Sequence, residues 1–384
     1  MNCEKIFTRR DTVVVLDILL DNFYAFKNFH MNLTYPKKIV GSCIREEHLA
    51  DRPNFRYKKV NIIMGANASG KTTFGRTVMK IFNFIDKKNY MSLVEAICDR
   101  TKPASFSLDV ASSSNILYRV TCTFMPCAND GKGYRSEDVK LEIRREKIRV
   151  NDSYESCVKR IEESEYIPSD NYMEELENME KLGWLFEYPE DTARTIRFPI
   201  NDETFPVVLE KILKALDPSI QRIEKLQEVE SAYVIRIHDK SVILQNGELF
   251  TTNLLSSGTK AGVEVARVVS GLMQGLYTFY YCDEKFPYIH SDIEKAILAV
   301  MIESIRPNEQ LFFTTHNTDI LDMDLPKHSF SFFRKSACNV EEPITCISAS
   351  SLLKRSTDSL KNAVENDLFC TAPAVDAIYA LSDS

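Results

Sequence analysis

Residues 65–72 read Gly-Ala-Asn-Ala-Ser-Gly-Lys-Thr and match the pattern G-x-x-x-x-G-K-[ST] in full. In such a loop, consecutive backbone N–H groups surround phosphate oxygens, and the N-terminus of the following helix faces them. The lysine reaches the β- and γ-phosphates, and the Ser/Thr hydroxyl ligates Mg²⁺. Because the pattern needs a strand before it and a helix after it, it constrains the fold and the ligand together.

The residues on either side of the loop supply that context. Residues 60–64 (VNIIM) predict a short buried strand, and residues 73–84 predict an amphipathic helix. Taken alone, the segment is also compatible with a Gly-rich turn that holds no ligand. If it holds a nucleotide, the expected contacts come from Gly65, Asn67, Ser69, Gly70, Lys71, Thr72 and Thr73.

Composition narrows the class of protein. With 384 residues, 44% of them hydrophobic and 27% charged, the chain has the balance of a soluble globular protein with room for one or two domains. No apolar run approaches the roughly 18 residues of a membrane span, so we expect neither a membrane segment nor a signal peptide. The ten cysteines are scattered without a C-x-x-C pair, which predicts reduced thiols in a cytoplasmic protein.

The net charge of the chain bears on whether nucleic acid is one of its partners. The net charge of −7 predicts no general attraction to a phosphate backbone. One basic stripe, residues 144–149 (RREKIR), is compatible with local contacts to nucleic acid, but such a stripe is more typical of a solvated strand or helix face. Nucleic acid therefore stays an open partner at this point.

The order of predicted elements indicates an α/β core with an insertion. Residues 11–35 predict a hairpin, and residues 106–110, 116–124 and 140–150 predict antiparallel strands beside it. Residues 151–190 are acidic, contain few β-branched residues and are predicted to be helical. We therefore divide the chain into an N-terminal lobe (1–150), a helical insertion (151–203) and a C-terminal lobe (204–384).

The second half of the chain supplies acidic partners for the loop. Residues 276–282 (LYTFYYC) predict a buried parallel strand that ends in Asp283 and Glu284. A carboxylate at the C-terminal end of such a strand lies beside a phosphate loop. Asp283 is therefore expected to hold Mg²⁺, and Glu284 to orient and deprotonate an attacking water. The alternative is an Asp-Glu pair that only caps the strand.

Two further motifs are candidates for the same site. His316 follows a predicted strand at residues 310–313, where its imidazole is placed to hydrogen-bond a γ-phosphate; a purely structural histidine is the alternative. Residues 256–258 (Ser-Ser-Gly) precede a predicted helix at residues 261–274. Small residues at a helix start form an anion site, unless one of the serines is an ordinary N-cap.

Taken together, the motifs resemble a known family. A phosphate loop, a long insertion, L-S-x-G, an apolar run ending in Asp-Glu, and then Thr-His is similar to the order in ABC-type ATPases. The branch it resembles is the non-transporter branch of SMC, RecF and double-strand-break-repair ATPases. The segments GANASGKT, LDNF, IHSDIEKAIL and TTHNTDILD resemble more closely the compact ATP-binding proteins of bacterial abortive-infection and anti-phage systems. The likeness covers residues 11–125 and 205–375.

This resemblance implies a fold, cofactors and catalytic roles. The fold would be an α/β P-loop NTPase of ABC-ATPase type, with an N-terminal antiparallel β subdomain and a helical insertion. ATP would be bound with Mg²⁺, with Thr72 and Asp283 as metal ligands. Lys71 would hold the phosphates, Glu284 would be the catalytic base, and His316 would be the switch histidine.

The resemblance also implies that two chains share each site. Protomers of a homodimer, or of a higher homo-oligomer, would face head to tail around two ATP molecules. The second chain would close on the γ-phosphate with Ser256, Ser257 and Gly258. Residues 290–292 (HSD) would form the loop that crosses between protomers.

For the biological role, the resemblance implies ATP-dependent dimerisation that gates an effector in anti-phage defence. Only 68 residues (384 minus 316) follow His316, too few for a typical catalytic domain, so the effector is expected to be a separate protein such as a nuclease. The alternative is a RecF/SMC-like DNA-maintenance ATPase that acts on duplex DNA. A transporter subunit and a small-molecule kinase account for fewer of the motifs.

Overall fold

A computed structural model gives the fold of residues 13–371, apart from residues 40, 127–132, 167–171, 178, 189–202, 228, 230–231, 246–247, 251–253, 285, 287, 336–341 and 356. The strands are β1 (Val13–Asp21), β2 (Phe29–Asn32), β3 (His48–Leu49), β4 (Arg52–Arg56), β5 (Val60–Met64), β6 (Ala104–Ser112), β7 (Ile116–Phe124), β8 (Val139–Lys147), β9 (Trp184–Glu187), β10 (Ile220–Lys225), β11 (Ala232–Ile237), β12 (Lys240–Gln245), β13 (Glu248–Phe250), β14 (Phe279–Asp283), β15 (Gln310–Thr314), β16 (Phe330–Arg334) and β17 (Thr345–Ser348). The helices are α1 (Lys71–Lys87), α2 (Met91–Val94), α3 (Tyr154–Glu163), α4 (Tyr172–Glu177), α5 (Thr204–Leu216), α6 (Ser257–Gln274), α7 (Ser291–Ser304), α8 (Ala349–Leu352) and α9 (Leu360–Glu365).

The centre of the fold is a six-stranded sheet in the order β17-β16-β5-β15-β14-β9. The strands β16, β5, β15, β14 and β9 each pair in parallel with the next in this order. β17 pairs antiparallel with β16 at one edge. The strands are apolar almost throughout because both faces of the sheet are covered. In β14, for example, Phe279 and Tyr281 belong to one core, whereas Tyr280 and Cys282 belong to the other.

One face of the central sheet packs on α1 and on the predicted antiparallel subdomain. That subdomain is a five-stranded sheet in the order β2-β1-β6-β7-β8, so the predicted hairpin and the strands beside it are confirmed. Phe74 of α1 packs between this subdomain and the central sheet. Its ring contacts Phe26 and Phe29 on one side and Tyr281 and Phe333 of the central sheet on the other, with centroids 5.3–6.4 Å apart. The other face packs on α5, α6 and α7 and on the small sheet β10-β11-β12-β13.

The prediction of helix is wrong for one part of the acidic segment at residues 151–190. Residues 184–187 were expected to be helical, but they form β9 and pair in parallel with β14. The reason is tertiary: Leu185 enters one core and Phe186 the other, as in a strand buried on both faces. Two helices, α3 and α4, do form in this region. The bounds of the insertion itself stay a prediction, since residues 189–202 lie outside the described part.

The two longest described helices, α1 and α6, carry charged side chains. α6 spans 18 residues but carries Lys260, Glu264 and Arg267. Among the residues that the structure describes, no helix is long and apolar enough to cross a membrane. The seven cysteines in this part of the chain are free thiols.

α1 packs against β14 without room for a side chain at Gly75. A Cβ atom there would lie 2.4 Å from Cε1 of Tyr281, whose hydroxyl donates to the carbonyl oxygen of Lys71 over 2.8 Å. We expect Gly75→Ala to lower the free energy of unfolding by about 1–3 kcal/mol, because overpacking outweighs the better helix propensity of alanine. Chemical denaturation measures this change.

Gly271→Ala in α6 is the matched control. Its Cβ would meet Cε1 of Tyr280 at 3.7 Å, an ordinary van der Waals contact. The free energy of unfolding should stay unchanged or rise by up to about 1 kcal/mol. An equal loss in both variants, or none in Gly75→Ala, contradicts this account of the packing.

Candidate nucleotide-binding site

Two glycines shape the loop between β5 and α1. A Cβ atom at Gly65 would lie 2.4 Å from the carbonyl oxygen of Phe333, so only glycine lets the loop pass β16. Gly70 has a φ of 98°, in the left-handed region that favours glycine, and leads the chain into α1. α1 begins at Lys71 and has no acidic residue in its first turn. Its free N–H groups therefore favour an anion at the loop.

The ammonium group of Lys71 lies at the centre of the site. The side chain is 3% exposed, and Nζ donates to the carbonyl oxygens of Gly65 at 3.0 Å and Ala66 at 3.3 Å. Nζ also lies 3.2 Å from Oε1 of Glu284 and 3.2 Å from Nε2 of His316. Burial lowers the pKa of Lys71, and the negative charge of Glu284 opposes that shift.

Asp283 and Thr72 bring two oxygen ligands together. The register of β14 against β15 sets Asp283 beside Thr314, whose hydroxyl donates to Oδ1 at 2.7 Å. The Thr72 hydroxyl donates to Oδ2 at 2.6 Å. Burial raises the pKa of Asp283, and these two hydrogen bonds oppose the shift. A hydroxyl and a carboxylate beside a phosphate loop fit Mg²⁺, which takes oxygen ligands and shares them with substrate phosphates.

Glu284 carries the carboxylate that is placed for general-base chemistry. Its Oε1 lies 2.9 Å from Nε2 of His316, and this hydrogen bond, with the charge of Lys71, lowers the pKa of Glu284 to about 2. Its φ of 41° is uncommon for a residue other than glycine, and its N–H donates to the Thr314 hydroxyl at 3.0 Å. Backbone strain of this kind clusters at functional sites.

A carboxylate to which the sequence assigned no role fixes the turn that carries His316. Glu294 of α7 is 3% exposed and accepts hydrogen bonds from Thr315 Oγ1 at 2.8 Å and Asn317 Nδ2 at 2.7 Å. Asn317 also donates to the Ser291 hydroxyl at 3.0 Å. One hydrogen-bond network therefore joins the histidine turn to the loop predicted to cross between protomers.

Lys71, Thr72, Glu284 and His316 line one pocket of 560 Å³, a size typical of sites for small ligands. Gly65 and Asp283 of the predicted set are not among its lining residues. Ser69 Oγ in the loop is buried and forms no hydrogen bond with a described residue, so its hydroxyl is available to a phosphate oxygen. Five lining residues lie outside the predicted set: Tyr24, Ala25, Ala68, Lys335 and Ile344. From the predicted set, the lining includes Asn67, Ser69, Gly70, Lys71, Thr72, Thr73, Glu284 and His316.

Residues 256–258 lie apart from this pocket. Ser256 is the N-cap of α6 and accepts the N–H of Thr259 at 3.1 Å, as in the ordinary-cap alternative. Ser256 and Ser257 are exposed, and a Cβ atom at Gly258 would lie 2.8 Å from the carbonyl oxygen of Tyr288. None of the three lines the pocket, so a single chain does not bring them to the loop.

The fold matches solved structures, whereas the sequence matches no protein-family model and no curated protein. An SMC head bound to the C-winged helix domain of ScpA is 13% identical, with a TM-score of 0.50 over 89% of this chain and all of that chain. An SMC head with an extended coiled coil, bound to the C-terminal domain of ScpA derived from Pyrococcus furiosus, is 10% identical, with the same TM-score over 89% and 98% of the two chains. The chain therefore has the ABC-type ATPase fold of these heads, as predicted.

Replacing the two neighbouring carboxylates should change stability in opposite directions. At neutral pH we expect Asp283→Asn to raise the free energy of unfolding, because ionised Asp283 is buried and its pKa is raised. We expect Glu284→Gln to lower it, because ionised Glu284 is stabilised by His316 and Lys71. Thermal denaturation of the nucleotide-free variants measures both changes.

The pH dependence tests the assignment of charge. The stabilisation from Glu284 should be complete above the unfolded pKa of 4.5 and should be lost as the pH falls toward about 2. The cost of Asp283 should be absent below its unfolded pKa of 3.8 and should appear as the pH rises through its higher folded pKa. Changes of the same sign in both variants at neutral pH would contradict these charge states.

Proposed function

We propose that this chain binds and hydrolyses ATP with Mg²⁺ at composite sites in a head-to-tail dimer. The observation that carries the proposal is the contact network of Lys71, Thr72, Asp283, Glu284 and His316, which come from three separate segments of the chain. The ABC-type fold supports it, as does the buried Ser69 hydroxyl, which has no hydrogen-bond partner among the described residues.

The chemistry follows from the contacts of one carboxylate. Lys71 and His316 both contact Oε1 of Glu284, and both are suited to bind a γ-phosphate. A phosphate that takes up these two donors removes the interactions that lower the pKa of Glu284, and the carboxylate becomes a stronger base for the attacking water. When bound by Thr72 and Asp283, Mg²⁺ would neutralise charge on the phosphates.

The exposed start of α6 supports a site shared by two chains. α6 has 18 residues and no acidic residue in its first turn, so its N-terminus favours an anion. The exposed serines 256 and 257 do not line the pocket of their own chain. In the proposed dimer they close on the γ-phosphate that is held by Lys71 of the other chain.

Mixing two inactive variants tests the composite site. Lys71→Ala should bind no ATP, and Ser256→Asp should hydrolyse none, because its carboxylate would oppose the γ-phosphate. A mixed dimer has one site with both residues intact. An equal mixture should therefore recover about a quarter of the wild-type turnover, since random pairing gives half mixed dimers with one working site each.

The control keeps the cap and removes the charge. Asp and Asn both serve as N-caps, so Ser256→Asn should fold like Ser256→Asp and retain much more turnover. Each variant alone, measured at the same total concentration, sets the baseline. A mixture that is no more active than its components would mean that each chain hydrolyses ATP alone or that the roles of Lys71 and Ser256 are wrong.

For the biological role we propose the gating of a separate effector in anti-phage defence, on the strength of the sequence motifs. The alternative, action on duplex DNA, is consistent with an SMC-like fold. Against it, Arg144 of the basic stripe pairs with Glu142, and the stripe contains an acidic residue, Glu146, that pairs with Arg160 at 3.0 Å. Such paired side chains have less charge to offer a phosphate backbone.

Two binding measurements separate these roles. The protein is co-expressed with the products of its neighbouring genes and purified with ATP, with ADP and without nucleotide. Gating predicts a stoichiometric complex whose stability depends on the nucleotide. No complex in any state, together with ATP-dependent and salt-sensitive binding to duplex DNA, would replace gating by the DNA-maintenance role.

A further inference from the structure

A second pocket, of 510 Å³, is separate from the phosphate loop, and no residue of that loop lines it. Lys58 lines it two residues before β5 begins, whereas the loop follows the end of β5. Ser331 near the start of β16 and Ser348 at the end of β17 pair with each other and line it too. In the parallel register Ser331 lies beside Ile63 of β5, and the Lys58 side chain reaches the Ser348 hydroxyl over 3.3 Å.

Lys58 is a buried cation with little compensation from the protein. The residue is 5% exposed, and its ammonium group donates to the Ser348 hydroxyl at 3.3 Å. No carboxylate of the described residues forms an ion pair with it, and burial lowers its pKa. Burying an ammonium group without a counter-charge is costly, so an anion in the pocket would stabilise it.

The rest of the lining also favours an anion. Ser348 and Ser350 are half-buried, with their hydroxyl oxygens 3.1 Å apart, and Lys37 stands exposed at the rim. Among the described residues, no aspartate or glutamate lines the pocket, although acidic residues outnumber basic ones in the chain by 55 to 48. Asp17 is not a lining residue, and its carboxylate contacts the ring of His30, which does line the pocket, at 2.8 Å.

We propose that this pocket binds a small phosphate-bearing ligand, with the phosphate oxygens on the ammonium group of Lys58 and the hydroxyls of Ser348 and Ser350. One cation with several hydroxyl donors suits a phosphate better than a planar carboxylate, since three terminal oxygens need donors. Tyr35, whose ring packs on that of His328 with centroids 4.6 Å apart, also lines the pocket and would contact the remainder of the ligand. The volume suits a small metabolite.

Calorimetric titration with inorganic phosphate at constant ionic strength tests the site. The full-length Lys71→Ala protein is used, so that the phosphate loop lacks its lysine. Binding should be saturable with one site per chain. Adding Lys58→Met should weaken it by about tenfold or more, because a charge-assisted hydrogen bond is lost.

Lys59→Met in the same background is the matched control. Lys59 is the adjacent buried lysine, 1% exposed, but its ammonium group donates to the Arg45 carbonyl at 2.9 Å, away from the pocket. Its loss should leave phosphate affinity unchanged. If circular dichroism shows that Lys58→Met is unfolded, Ser350→Ala takes its place. That variant should weaken phosphate binding by about fivefold.

Three results would overturn the proposal. The first is the absence of saturable phosphate binding in the Lys71→Ala protein. The second is equal affinity with Lys58 present or replaced, or with Ser350 replaced where that variant is used. The third is an equal loss of affinity in the Lys59→Met control, which would show that binding responds to net charge rather than to this pocket.

Discussion

The site depends on one buried ammonium group. Lys71 Nζ lies within 3.3 Å of two loop carbonyls, the Glu284 carboxylate and the His316 ring, so a single charge holds together the loop, the end of β14 and the turn after β15. An ammonium group so enclosed is stable only while the carbonyl and carboxylate oxygens surround it. In the proposed site a nucleotide phosphate would compete for the same charge, which would couple ligand binding to the position of Glu284 and His316.

The sequence predicted the parts of the fold in which local pattern and tertiary environment agree. The strand, loop and helix predicted at residues 60–84 followed from the glycines, Lys71 and the apolar spacing of the helix, which in the structure runs from Lys71 to Lys87. β14 was predicted from its continuous apolar run, which both cores explain. The contact of Asp283 with Thr72 was expected because the parallel strands β5, β15 and β14 end at one edge.

What the sequence missed depends on contacts between distant segments. β9 is a strand because it can pair with β14 and because Leu185 and Phe186 enter the two cores. The sequence of its four residues reveals neither interaction. Glu294 looks like any acidic residue in the first turn of a helix until Thr315 and Asn317 fold against it. Tyr24 reaches the nucleotide pocket from a turn after β1, which no motif spacing predicts.

The central claim is that ATP joins two chains, and the solution mass of Glu284→Gln tests it most directly. This variant should bind ATP without hydrolysing it, so the closed state should accumulate. With ATP and Mg²⁺, light scattering should show a doubling of the 44.0 kDa chain mass, and without nucleotide the single-chain mass. A mass that stays at one chain under both conditions, with ATP bound, would contradict the composite site.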